Sequence, residues 1–126
     1  MRRPNRPIRA TARKPALTDL HTMPDLAVFA PAGEIDLHSA DLVKEQIDPF
    51  LSVEKPRLLV DMADVTYVDS SALALLIEAM QRAQAAGGHF ALCSLRESIR
   101  QIFGIARLDH IFQIFPTREE ALAAMS

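Results

Sequence analysis

Leu58-Leu59-Val60-Asp61-Met62-Ala63-Asp64-Val65-Thr66-Tyr67-Val68-Asp69-Ser70-Ser71-Ala72-Leu73-Ala74-Leu75-Leu76-Ile77-Glu78-Ala79-Met80 opens at strand spacing and closes at helix spacing, with three polar residues at the joint. Leu58, Leu59 and Val60 form a short apolar run, the pattern of a strand covered on both faces. Tyr67-Val68 continue it beyond the turn-like Asp61-Met62-Ala63-Asp64. Past Asp69-Ser70-Ser71 the period becomes 3.6, and Leu73, Leu76, Ile77, Met80 and Ala83 fall at i, i+3, i+4, i+7 and i+10, on one helix face. Asp69 or Ser70 therefore stands at the helix start, where its side-chain oxygen can accept hydrogen bonds from backbone N–H groups that have no partner within the helix. An anion is electrostatically favoured at the same place.

Upstream, Leu26-Ala27-Val28-Phe29-Ala30 reads as a strand paired with a weaker one over 17–23, the two joined through Pro24-Asp25 as a hairpin. Gly33 closes the second strand, Glu34-Ile35-Asp36 leads to Ser39 as N-cap, and Val43, Ile47, Phe50 and Leu51 give the first helix its apolar stripe, ending near Pro56 with Pro49 inside it. Downstream, Gly87-Gly88 stops the second helix in the C′ position that glycine favours, and Phe90-Ala91-Leu92-Cys93 is a strand. Ser94 and Glu97 fit a capping box for a third helix buried through Leu95, Ile99, Ile102 and Phe103 and terminated by Gly104. Residues 111–115 read as a fifth strand. Thr117 and Glu120 form a second capping box, opening a short helix carried by Ala121, Leu122 and Met125. Helices recurring between strands after an opening hairpin predict an α/β domain: a mixed, mostly parallel sheet of about five strands with about four helices. In such a sheet, sites form at the carboxyl ends of strands. The two acidic loops Glu34-Ile35-Asp36 and Val68-Asp69-Ser70-Ser71 leave by that route.

The chain has 126 residues, the size of one domain. Its net charge of −2 hides an asymmetry: Arg2, Arg3, Arg6, Arg9, Arg13 and Lys14 are six of 14 basic residues, which leaves 8 basic against 16 acidic groups, or −8, for the rest. A body that acidic repels nucleic acid phosphates, so no direct nucleic acid partner is expected. Residues 1–16, basic and punctuated by Pro4, Pro7 and Pro15, read as a flexible arm, and 17–126 as the folded domain. The single cysteine, Cys93, excludes an intramolecular disulfide, and its apolar neighbours suggest an inert buried thiol. No apolar run is long enough to cross a bilayer, so a cytoplasmic protein with no membrane insertion is expected.

Enzymatic readings find little support. A hydrolase serine belongs in Gly-x-Ser-x-Gly, whereas here the serines precede Ala72, and His110 reads as a surface histidine rather than a base. His21, His38 and His89 have no metal-ligand spacing with one another or with Cys93. The glycines Gly33, Gly87, Gly88 and Gly104 form neither a P-loop nor a dinucleotide fingerprint. No metal or other cofactor is expected.

Helix capping alone accounts for Asp69-Ser70-Ser71. The longer run from Val60 to Leu73, with Gly33-Glu34-Ile35-Asp36 upstream and Gly87-Gly88 before a strand downstream, resembles the STAS domain of bacterial anti-sigma factor antagonists over residues 17–125. The resemblance implies the STAS fold and partner switching. In that family the serine directly after the Asp of the motif is phosphorylated by a kinase that is also the anti-sigma factor, a histidine-kinase-like ATPase, and a serine phosphatase reverses the modification. Matched by motif, Ser70 is the phosphoacceptor, with Ser71 second to it. Asp36, Asp69, Ser70, Ser71 and Ala72 form the partner-binding surface, and the protein is a binder and substrate, not an enzyme. A second reading within the family is a STAS subunit that is never phosphorylated and serves as a structural partner in a lipid-transport ATPase or a signalling scaffold. The sequence departs from the family in having Ala72 and Ala74 where glycines are common.

Overall fold

The structure, a computed structural model, describes residues 9–13 and 26–125. Its strands are β1 (Arg9–Arg13), β2 (Leu26–Ile35), β3 (Arg57–Asp61), β4 (Asp64–Val68), β5 (His89–Cys93) and β6 (Ile114–Phe115). Its helices among the described residues are α1 (Ala40–Leu51), α2 (Ser70–Ala85), α3 (Glu97–Ile105) and α4 (Arg118–Met125), with a 3-10 turn at Leu108–His110. The sheet order is β1-β2-β3-β5-β6, antiparallel only at β1, and β4 pairs with β2. From β2 the chain walks outward in one direction through β3, β5 and β6. With crossovers of one hand, that walk puts the connecting helices on one face.

Both faces of the sheet are buried, and side-chain alternation sorts the residues between them. Ala27, Phe29, Leu58, Val60, Phe90 and Leu92 point into the larger core with α1, α2 and α3. Leu26, Val28, Leu59, Ala91 and Cys93 point the other way, under Ala121 and Met125 of α4. Burial beside Asp61 pushes the Cys93 thiol up to about 12, which keeps it neutral, as expected of an inert core cysteine.

Met62-Ala63 interrupts one lane of the sheet. β1 and β3 both pair with Val28 and Phe29, so they flank opposite edges of β2. β1 and β4 both pair with Ala32, so β4 lies on the β3 side. β4 thus resumes the lane that β3 leaves, as the sequence run suggested, but as a separate strand. The Asp61 carboxylate accepts the Ala63 N–H at 3.0 Å, Val65 N–H reaches Met62 O, and the step carries β4 away from β5.

Several expectations are corrected. β2 does not stop at Gly33. It runs to Ile35 through a bulge between Gly33 and Glu34, with Gly33 at φ +94°, a conformation glycine adopts without strain. The antiparallel partner of β2 over Val28–Ala32 is Arg9–Arg13, a segment the sequence reading assigned to the flexible arm; the expected strand over 17–23 lies outside the described residues. α1 includes Pro49 but ends at Leu51 rather than near Pro56. The buried stripe of α2 is Ala72, Leu75, Leu76, Ala79, Met80 and Ala83, one position round from the predicted one, because the alanines are the residues that let the helix sit close to the sheet. Leu73 and Ile77 flank it, partly buried. The capping box at Ser94 does not form: Ser94 is left-handed at φ +63° and α3 starts at Glu97. Gly104 lies within α3, and the chain turns instead at Arg107, φ +62°. Ile111 is exposed, and only Ile114–Phe115 of the predicted fifth strand pair with β5. The second capping box does form on its hydroxyl side, Glu120 N–H to Thr117 Oγ1 at 3.1 Å.

Gly87 and Gly88 end α2 for two different reasons. Gly87 follows the C-cap Ala86 at φ +78°. Gly88 lies against the backbone of Pro56, where a Cβ would come within 1.8 Å of the Pro56 carbonyl oxygen, the acceptor for His89 N–H that starts the β3–β5 ladder. Gly88→Ala must therefore move one strand end, and a loss of about 1–3 kcal/mol is expected in urea unfolding. Gly104→Ala, which meets nothing within 4 Å, serves as the control and should not lose stability.

Candidate functional site

The bulge in β2 and the resumption of its neighbouring lane bring two loops together. Parallel pairing sets Glu34 opposite Tyr67 and Ile35 opposite Val68, so both strands finish side by side. Asp69 N–H then donates to Ile35 O at 3.3 Å, the last rung before the chains diverge. The mouth they form belongs to the carboxyl end of the sheet, where the sequence reading placed it.

Asp69 is the N-cap of α2, with extended backbone, and its Oδ1 accepts Ser71 N–H at 2.9 Å and Ala72 N–H at 3.3 Å. Its Oδ2 accepts Leu37 N–H at 3.0 Å, a bond across 32 residues of sequence. One carboxylate thus ties the helix start to the preceding loop. That loop is folded around Asp36, whose Oδ1 accepts the N–H groups of His38 and Ser39 at 3.0 and 3.1 Å. Ser39 occupies the N-cap position of α1 without capping it: its hydroxyl accepts Asp36 N–H at 3.0 Å and lies 3.1 Å from Glu34 O, an acceptor for its proton.

Ser70 is the first residue of α2 and is exposed, with its hydroxyl at the joint of strand and helix. Ser71 and Asp36 are half-buried at its flanks. Ala72 is a correction: it is fully buried at 0% exposure and packs in the core, so its side chain is not offered to a partner. It is nonetheless the position where glycine is common, and its methyl fills core space rather than hindering a visitor. Ala74 is the exposed one of the pair.

Sequence reasoning passed over Leu37, exposed to 70%, and Tyr67, exposed to 48%, both beside this mouth. A lone leucine in a polar loop carries no periodic signal, and Tyr67 reads as strand. The loops 35–39 and 67–71, which form the mouth, hold Asp36 and Asp69 and neither lysine nor arginine. His110, the discarded candidate base, is a surface side chain at 82% exposure. Among the described residues no cluster of three or more His, Cys, Asp or Glu could hold a metal, and no helix is long and apolar enough to cross a membrane.

Known proteins are similar to this chain in sequence and share its fold. The anti-sigma-B factor antagonist of Bacillus subtilis is 32% identical over 83 residues, covering 66% of this chain and 75% of its own. The crystal structure of an anti-sigma factor antagonist from Mycobacterium paratuberculosis superposes with a TM-score of 0.81 at 22% identity, covering 99% of this chain and 98% of its own. The phosphorylated form of SpoIIAA, a Bacillus cell fate determinant, superposes with a TM-score of 0.64 at 19% identity, covering 92% of this chain and 100% of its own. The family model described as the STAS domain matches residues 18–121, most of the chain, and the chain belongs to the STAS domain family.

Proposed function

We propose that the protein is an anti-sigma factor antagonist that docks through the face around Ser70 onto an anti-sigma factor kinase of the histidine-kinase-like ATPase type. Phosphorylation of Ser70 by that kinase ends the complex, and a serine phosphatase restores it. The likeness to the anti-sigma-B factor antagonist of Bacillus subtilis supports the first half of this reading. The observation that carries the switch is the exposed Ser70 hydroxyl beside a cap carboxylate whose hydrogen bonds are already made.

Phosphate on Ser70 brings about −1.5 to −2 charges into a mouth whose loops already carry the Asp36 and Asp69 carboxylates and no lysine or arginine. The N–H groups of Ser71 and Ala72, natural receptors for an anion at a helix start, are occupied by Asp69 Oδ1. An exposed helix terminus offers an anion only about 0.3–1 kcal/mol. Burying an uncompensated charge in an interface costs several. The penalty wins, and at about 1.4 kcal/mol per factor of ten it dissolves a micromolar complex while leaving the fold intact.

Incubation with the cognate kinase and ATP, followed by mass spectrometry, is expected to find one phosphate, on Ser70. Phosphate on Ser71 alone, or none together with binding to a transporter subunit, would reject the switch in favour of a structural STAS subunit.

A further inference from the structure

We infer that Leu37 is the apolar anchor of the docking face and that Asp69 is its positioning residue, an inference that rests on the function proposed above. An exposed leucine is ordinary on a protein surface. This one stands on a backbone with no slack. The N–H groups of residues 36 to 40 are all bonded in succession: Asp36 to Ser39 Oγ, Leu37 to Asp69 Oδ2, His38 and Ser39 to Asp36 Oδ1, and Ala40 to Asp36 O at 2.8 Å. A side chain 70% exposed on so rigid a loop loses little backbone freedom when it is covered, the condition under which apolar contact converts best into affinity.

The position matters as much as the rigidity. Asp69 holds Leu37 with one carboxylate oxygen and the start of α2 with the other, so the backbone at Leu37 and the backbone that carries Ser70 are fixed relative to each other. Tyr67, opposite Glu34 in the β2–β4 pair, adds a second exposed apolar surface beside them. The fitting partner is a protein with an apolar recess set at a constant offset from its phosphoryl-transfer centre. A kinase that seats Leu37 finds Ser70 in place, which relates affinity to phosphorylation through geometry.

Three variants and the cognate kinase test this. Leu37→Ala is expected to weaken the complex about 10–100-fold by calorimetry, the range for one leucine side chain buried on binding, and to raise KM for phosphorylation with kcat unchanged. Leu37→Met should stay within about threefold of wild type. Asp69→Asn keeps a cap oxygen for Ser71 and Ala72, since asparagine caps as well as aspartate, but turns a donor towards Leu37 N–H. Hydrogen exchange of the Leu37 amide should then accelerate at least about tenfold, and both the affinity and kcat should fall. Leu37→Ala that binds within twofold of a wild type still phosphorylated on Ser70 overturns the anchor and leaves the proposed function standing. A wild type that binds no such kinase removes both. Unchanged Leu37 amide exchange in Asp69→Asn overturns the positioning role with no partner involved.

Discussion

Ser70→Asp is expected to weaken binding to the cognate anti-sigma factor kinase by about 30–100-fold, with circular dichroism and thermal unfolding unchanged. The substitution carries half the charge of a phosphate and none of its reach, so the loss is set at about 2–3 kcal/mol rather than at the full cost of a buried dianion. Stability is spared because Ser70 is exposed and contributes no cap bond; the bonds at this helix start belong to Asp69. An acidic residue in the first turn is, if anything, favourable to α2 by a few tenths of a kcal/mol. Ser71→Asp serves as the comparison: Ser71 is half-buried one residue further into the helix, and its change should perturb folding more and the docking face less. Calorimetric binding of the two variants in parallel decides the matter. Wild-type affinity in Ser70→Asp would remove the charge switch.

Why that site could be seen in the sequence, and its mate could not, follows from the range of the forces involved. The strand-to-helix joint is local. Period, cap chemistry and the glycine pair Gly87-Gly88 all lie within some thirty residues, and the structure returns α2 as Ser70–Ala85 with Asp69 at its N-cap, as expected. The link from Asp69 to Leu37 crosses 32 residues and depends on β4 resuming the lane beside β2, a pairing that no spacing announces. The misplaced third helix has a similar cause. Ser94-Leu95-Arg96-Glu97 satisfies the capping pattern, but Ser94 N–H is held by Phe115 O across the sheet, and the chain turns left-handed there instead. Tertiary pairing outbid a local motif. Gly104 and Arg107 exchange roles in the same way: the glycine had the better intrinsic preference for a positive φ, but helix packing through Ile99 and Phe103 carries α3 past it.

Arg118→Ala is expected to cost about 2–3 kcal/mol, more than its partially exposed side chain suggests. Arg118 opens α4 and donates from Nε to Asp61 Oδ2 at 2.8 Å, while Asp61 Oδ1 takes Ala63 N–H at the point where β3 hands over to β4. The two ends are unequally buried, the Asp61 side chain exposed to 10% and that of Arg118 to 32%. Removing the arginine therefore strands a carboxylate at the carboxyl end of a central strand, opposite Cys93, whereas removing the carboxylate leaves a guanidinium that water can reach. A fully buried pair broken from one side costs about 3–5 kcal/mol, and the exposure of Arg118 lowers that. Asp61→Asn keeps an acceptor for Ala63 N–H and sheds the charge, so it should cost less than Arg118→Ala, about 1 kcal/mol. Combined with Asp61→Asn, Arg118→Ala should lose much of its penalty, because the charge it would have abandoned is gone. Urea unfolding of the four proteins reads this directly. Additive losses in the double variant would mean that the pair is a surface contact, and that α4 is held on its face of the sheet by the apolar contacts of Ala121, Leu122 and Met125.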